Sequence, residues 1–125
     1  AYHAERARGG CALNIVEVAA VHRPSSPAHF VWICEDSLIE GHRRLTDAIH
    51  AEGGKAGIQL WQGGLAVSMD PKAQILLPSD MNLGQYTIPG ITREQIAEVV
   101  KCYGEAARRA TLAGYDCIEF HLAHN

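Results

Sequence analysis

The sequence has few of the features that assign a chain to a specialised class of protein. No apolar run approaches the roughly 18 residues of a membrane span, and no charged segment followed by an apolar one suggests a secretory leader. Its 11 Lys and Arg are outnumbered by 14 Asp and Glu, so it lacks the basic excess that nucleic-acid surfaces need. These absences predict a cytoplasmic protein that binds neither membranes nor nucleic acids.

The cysteines and glycines also form none of the common cofactor motifs. The four cysteines are scattered, with no C-x-x-C pair, so we expect neither a disulfide framework nor a zinc site, and a reducing compartment fits best. Gly63 and Gly64 follow a strand-like run, but neither G-x-G-x-x-G nor G-x-x-x-x-G-K-[ST] occurs. A Rossmann or P-loop nucleotide site is therefore not predicted.

What the chain does have is an alternation of strand and helix patterns. Apolar runs predict strands at about 12–18, 56–61 and 117–121, and three- and four-residue periodicity predicts helices at about 37–52 and 93–113. This order is typical of a parallel sheet with right-handed crossovers. At 125 residues, the chain is large enough for one domain and too short for a whole eight-unit barrel of about 250 residues.

Both helices carry a possible start signal at their amino ends. Thr92 and Gln95 have the spacing of a capping box, in which each side chain bonds the backbone N–H of the other residue. Ser37 and Glu40 have the same spacing. We therefore expect a side-chain cap at the start of each helix.

Loop lengths differ between the two ends of the predicted sheet. Both helix-to-strand turns are short, whereas the loops at 22–35 and 65–91 that follow strands are long. All the elaborate loops then lie at the carboxyl ends of the strands, which is the catalytic face of a (β/α)₈ barrel. We predict an α/β fold, a partial (β/α)₈ TIM barrel, with residues 1–125 as a single partial-barrel domain.

The last predicted strand brings polar side chains to this end. Because side chains alternate along a strand, Glu119 and His121 share one face, while Ile118 and Phe120 share the other. The apolar pair should contact the helices, so Glu119 and His121 should point into the barrel. We expect Glu119 to be a buried, paired acid. By the same alternation, Gln59 is an inward amide on the neighbouring strand.

His121 and His124 have three readings that the residues leave open. If the strand ends near Leu122, both imidazoles can cover one opening and donate hydrogen bonds to a carbonyl or carboxylate oxygen. The pair could instead bind a metal ion, as in a metal-assisted barrel lyase or hydrolase. Taken alone, His121 could be a hydrogen-bonded core histidine. A further alternative is a non-catalytic partial barrel that serves as a structural or binding module.

Two strand motifs together resemble the Old Yellow Enzyme family of flavin-dependent ene-reductases. The first is Gly57–Gly64, sequence GIQLWQGG, which is similar to that family's third-strand motif. The second runs from Ala113-Gly114-Tyr115-Asp116 through Ile118-Glu119-Phe120-His121-Leu122-Ala123-His124, similar to its fourth strand. The approach to the first strand also fits, so the resemblance extends over nearly the whole chain.

The resemblance implies an FMN-dependent barrel enzyme that takes electrons from NAD(P)H. The family's glutamine at the position of Gln59 hydrogen-bonds the pyrimidine edge of the flavin, and the residue at Val18 touches the ring through its backbone. The pair matching His121 and His124 holds the oxygen of an α,β-unsaturated carbonyl substrate. An iron–sulfur cluster or FAD would belong only to segments outside these residues, and homo-oligomerisation is an open alternative.

The chain also departs from the family pattern. The family commonly has histidine and arginine at the positions of Gln62 and Leu65, and a smaller residue at Val18. The resemblance covers only the amino-terminal half of the barrel, so we expect the 125 residues by themselves to be catalytically inactive and to bind FMN weakly.

Overall fold

The computed structural model describes residues 1–123 of the 125-residue chain. Helices and strands alternate, with short 3₁₀ turns at 23–25, 36–38 and 64–69. In chain order the elements are α1 Tyr2–Arg8, β1 Leu13–Ala20, β2 Val31–Trp32, α2 Ile39–His50, β3 Lys55–Trp61, β4 Met81–Asn82, β5 Thr87–Ile88, α3 Arg93–Leu112 and β6 Cys117–Phe120. No helix within residues 1–123 is long and apolar enough to cross a membrane.

The main sheet is parallel and has the strand order β2-β1-β3-β6. The three predicted strands and both predicted helices are confirmed, and the fold is part of a (β/α)₈ barrel. Strand β1 extends two residues further than predicted, to Ala20. The two-residue strand β2 was missed because it lies inside a loop with Pro24 and Pro27 and pairs only with Ala19 and Ala20.

The two predicted helix caps have different outcomes. The Thr92–Gln95 capping box is present in both directions, with hydrogen bonds of 2.9 and 3.2 Å. The box predicted at Ser37 and Glu40 is wrong, because α2 begins at Ile39 after a 3₁₀ turn and has no side-chain cap. That turn is held instead by Asp36, whose carboxylate accepts hydrogen bonds from two arginines of α3, Arg108 (2.5 Å) and Arg109 (2.6 Å).

The core lies between the outer face of the sheet and the helices. Ile58 and Leu60 of β3 are fully buried there, and α3 presents Ala106 and Ala110, also with no exposed area. Small alanine side chains let the helix backbone approach the sheet closely. Ile118 packs against the same cluster, which confirms that the even-numbered residues of β6 face the helices. The odd-numbered residues therefore face the barrel interior.

An ion-pair cluster joins the amino ends of β3 and β6, away from the long loops. Asp116 accepts hydrogen bonds from the Ala56 backbone N–H (2.9 Å), Lys55 Nζ (2.9 Å) and His50 Nε2 (2.7 Å). These bonds, first that from Ala56 and then those from Lys55 and His50, hold the pKa of Asp116 well below its usual value. The cluster therefore stabilises the ionised carboxylate in the folded chain.

Asp116→Asn is expected to lower the free energy of unfolding by about 1–2 kcal/mol at neutral pH, because a charge-assisted set of bonds is replaced by weaker ones. Since the folded-state pKa is depressed, this contribution is complete above the unfolded carboxyl pKa of about 3.9 and is lost as pH falls below it. Urea unfolding of wild type and variant across pH 2–7 measures both effects. Asp47→Asn is the matched control, since that carboxylate is exposed on α2 and makes no side-chain bond within residues 1–123. Equal losses from both substitutions would contradict the prediction.

Candidate active site at the carboxyl ends of the strands

The inner face of the sheet carries a row of polar side chains at one level. Gln59 and Glu119 are partners in the parallel register of β3 and β6, and Gln59 Nε2 donates a hydrogen bond to Glu119 Oε1 at 3.0 Å. This pair confirms that both side chains lie on the interior side. Glu119 is exposed, so the expectation that it would be buried is wrong: within residues 1–123, β6 pairs only with β3 and nothing covers that face.

A bulge in β1 lies directly opposite Gln59. Val16 pairs with Ile58 and Ala19 pairs with Leu60, so two residues of β1, Glu17 and Val18, lie opposite the single residue Gln59. Bulges of this kind bend a strand and change the direction in which its side chains point. Here the bulge brings Glu17 and Val18 to the wall of a pocket that Gln59 also lines.

That pocket brings together three of the residues selected from the sequence. Val18, Gln59 and His121 line one cavity of about 510 Å³, whose aromatic wall consists of Phe30 and Trp61 with ring centroids 4.9 Å apart. Small-molecule sites usually occupy about 300–1,000 Å³ and combine an apolar lining with a few polar groups. We call this cavity the strand-end pocket. Its size and lining suit a flat, partly polar ligand.

His121 is the first residue after β6. Its backbone N–H donates to the carbonyl of Leu60 at 2.9 Å, which fixes the end of the strand against β3. Its side chain lines the strand-end pocket and also a neighbouring cavity of about 270 Å³ that includes Gln62 and Tyr103. His124 lies outside the described residues. The expectation that His121 and His124 cover one opening therefore stays a prediction.

Tyr103 of α3 approaches the site from the helix side. Its ring lies 5.6 Å from that of Phe120, and it lines the same smaller cavity as His121. Burial raises the pKa of the Tyr103 phenol above its ordinary value, with an opposing contribution from a hydrogen bond to the Gln62 backbone. The side chain is therefore a neutral phenol at physiological pH. Within residues 1–123, no group of three or more His, Cys, Asp or Glu is arranged to hold a metal ion.

His22, for which no role is predicted from the sequence, supports the loops around the site. It is buried, with Nδ1 2.8 Å from Ser25 Oγ and Nε2 3.3 Å from Glu98 of α3. Ser25 Oγ in turn lies 3.1 Å from the Gln62 side-chain amide. When Gln62 Oε1 points towards Ser25, the same oxygen also accepts hydrogen bonds from the backbone N–H groups of Gly63 and Gly64. The only sequence signal was a polar residue directly after an apolar run.

Comparison with known proteins assigns the chain to a family. The family model for NADH:flavin oxidoreductase / NADH oxidase matches residues 1–125. The chain belongs to this family. The match confirms the resemblance to Old Yellow Enzyme-like proteins, and it covers the chain from end to end.

Individual relatives of this flavin oxidoreductase family agree with the assignment. The chain is 37% identical, over 99% of its length, to 4,4'-dithiodibutanoate disulfide reductase from Rhodococcus erythropolis, and 38% identical, over 81%, to the probable NADH-dependent flavin oxidoreductase YqiG from Bacillus subtilis. It spans 32% and 27% of those two proteins. The chain thus corresponds to about a third of its curated relatives.

The solved structure of Old Yellow Enzyme from Pichia sp. AKU4542 has the same fold. It superimposes with a TM-score of 0.84 over 98% of this chain and 36% of that one, at 24% sequence identity. At this identity the likeness concerns the fold alone. It places the sheet of this flavin oxidoreductase family member within a larger barrel architecture.

Proposed function

We propose that the protein is an FMN-dependent oxidoreductase that uses NAD(P)H to reduce the activated C=C bond of an α,β-unsaturated carbonyl or carboxyl compound. The observation that carries the proposal is the convergence of Val18, Gln59 and His121 on the strand-end pocket. These positions come from three different strands or strand ends, and family membership supplies the chemistry that would use them together.

The residues present fit a flavin. Gln59 offers an amide that can hydrogen-bond the polar edge of a heterocycle, and Val18 brings the bulged backbone of β1 to the same cavity. Phe30 and Trp61 add flat apolar surface. Bound FMN would supply two-electron chemistry between the nicotinamide and the substrate. Gln59 and Val18 are the residues that we propose for holding it.

His121 is proposed as the residue that holds the substrate oxygen. An imidazole N–H that donates to a carbonyl oxygen stabilises negative charge as it develops there, and it acts best in a site that is shielded from water. We propose that His124 supplies a second donor to the same oxygen. The small-molecule substrate is thereby oriented with its activated double bond over the flavin-binding residues.

We propose that the 125 residues by themselves do not turn over substrate or bind FMN tightly. Within residues 1–123 the strand-end pocket is open on one side, Gln59 in its wall is only partly buried, and Glu119 next to Gln59 is exposed. A cofactor bound to one wall keeps much of its surface solvated, so little of its binding free energy is realised.

The scattered, free cysteines favour a reducing, cytoplasmic setting for the whole protein.

The full-length protein, produced from its complete reading frame, tests the proposal. We expect it to purify with a yellow chromophore identified as FMN, and to oxidise NADH or NADPH when an enone such as 2-cyclohexenone is added. The assay should include 4,4'-dithiodibutanoate, because a similar protein is named for reducing that disulfide. A protein that reduces the disulfide but not the enone would contradict the proposed substrate class and indicate disulfides instead.

Metal analysis of the same preparation addresses the rival chemistry. A colourless protein that contains a stoichiometric divalent metal, and loses it on replacement of His121, would support a metal-assisted lyase or hydrolase instead. A colourless protein without metal that ignores both substrates would leave the structural or binding module as the better reading. Titration of the 125-residue polypeptide with FMN completes the set, and micromolar affinity would contradict the proposed weak binding.

A further inference from the structure

The hydrogen bond between Gln59 and Glu119 determines which end of the Gln59 amide faces the carboxylate. A glutamine amide has two different ends, an NH₂ that donates and a carbonyl oxygen that accepts, whereas an ionised carboxylate only accepts. Glu119 Oε1 receives Gln59 Nε2 at 3.0 Å, and the two residues are fixed opposite each other by the register of β3 and β6. The carboxylate thus selects one of the two amide orientations.

The other carboxylate near Gln59 does not make this contact. Glu17 lines the strand-end pocket from the bulge of β1, but within residues 1–123 its side chain forms no hydrogen bond with Gln59. Within the same residues, the bond to Glu119 is also the only one that the Gln59 amide makes. With one N–H engaged and the amide orientation thereby set, Gln59 has its carbonyl oxygen and its second N–H left for a ligand in the pocket.

We propose that Glu119 is a positioning residue: it orients the Gln59 amide so that the carbonyl oxygen accepts a hydrogen bond from an N–H donor on the edge of the bound cofactor. The inference rests on the proposed function, because it assumes that Gln59 contacts FMN. It specifies the acceptor end of Gln59 as the end that recognises the ligand. A ligand acceptor placed against this carbonyl oxygen is disfavoured, since two oxygens would face each other.

Three substitutions in the full-length protein test the role of Glu119 through FMN affinity. Glu119→Leu removes the acceptor and is expected to weaken FMN binding about tenfold, the effect of one lost charge-assisted hydrogen bond. Glu119→Gln keeps an acceptor oxygen and should stay within about threefold of wild type. Asp47→Leu is the control for losing a carboxylate, since Asp47 is exposed on α2 and does not line the strand-end pocket, and it should also stay within about threefold.

A double-mutant cycle with Gln59→Leu shows whether Glu119 acts through Gln59. In the Gln59→Leu background, adding Glu119→Leu should change the FMN dissociation constant by less than about twofold, because the side chain to be oriented is already gone. The absorption spectrum of bound FMN gives a readout that is independent of turnover. It should shift with Glu119→Leu and return towards wild type with Glu119→Gln.

The outcomes separate this inference from the proposed function. A full-length protein that binds no FMN would overturn both. If FMN binds and Glu119→Leu keeps wild-type affinity, the orienting role fails while the proposed function stands. It fails equally if Glu119→Gln is as damaging as Glu119→Leu, or if Glu119→Leu costs as much without Gln59 as with it, since either result would assign the effect to charge or folding.

Discussion

Replacement of His121 by alanine is expected to lower kcat/KM for an enone by about a hundredfold or more, with FMN still bound. One donor that stabilises a developing oxyanion contributes about 10²–10³ to the rate, and alanine offers no replacement. The His121 backbone N–H is bonded to Leu60 at 2.9 Å, so the imidazole extends from a strand end that is held against β3. Steady-state kinetics with flavin content measured in parallel gives the result.

Two further variants make the His121 experiment specific. His121→Asn keeps a hydrogen-bond donor and should retain more activity than His121→Ala. His3→Asn removes an imidazole from α1 that packs on Tyr2 and does not itself line the strand-end pocket, and should keep wild-type kinetics. A His121→Ala enzyme with unchanged kcat/KM would refute the role in substrate polarisation and would favour the reading of His121 as a packing residue.

Gly63→Ala is expected to lower the free energy of unfolding by about 2–3 kcal/mol, because the turn after β3 has no room for a methyl group. A Cβ at this position would lie 2.0 Å from Val67 Cγ1 and 2.8 Å from the backbone oxygen of Ser25. The valine can move, but the Ser25 carbonyl belongs to the loop that His22 and Gln62 hold together. The substitution must therefore separate the loops that follow β1 and β3.

The backbone conformation of Gly63 makes the cause of this effect unambiguous. Its φ of −72° and ψ of −20° suit alanine, so the predicted cost comes from crowding and not from an unfavourable dihedral angle. Gly104→Ala in α3 is the control, since nothing lies within 4 Å of its Cβ position and alanine favours helix. Denaturant unfolding should show a loss for Gly63→Ala and no loss for Gly104→Ala. Equal stability of the two variants would disprove the packing argument.

The candidate site could be predicted where it depends on alternation along a strand. Gln59 and His121 were placed at the interior from parity alone, and the Gln59–Glu119 hydrogen bond confirms that face. Val18 came from the family resemblance, and the structure places it in the same pocket. Val18 reaches the pocket because of the bulge opposite Gln59. No local sequence pattern predicts this bulge, since a bulge is a property of the register between two strands.

Other features were missed or wrong because partners distant in sequence decide them. Ser37 and Glu40 had the right spacing for a cap, but Arg108 and Arg109 of α3 hold the preceding turn through Asp36, and the helix begins later. Arg109, a charged residue of α3, has only 12% of its side chain exposed, because it reaches Asp36 across 73 positions of the chain. His22 likewise received no role, since Glu98 reaches it across 76 positions of the chain.

The sequence by itself determined the order of strands and helices, the inward and outward faces of β3 and β6, and the end of the sheet that carries the long loops. These follow from periodicity and from turn residues, which act over a few positions. Only the tertiary structure decided that the bulged Glu17-Val18 segment, Gln59 and His121 line one pocket, and that Glu119 holds one end of the Gln59 amide. Those facts depend on which residues of neighbouring strands lie opposite one another, and register is fixed by the packing of the whole sheet.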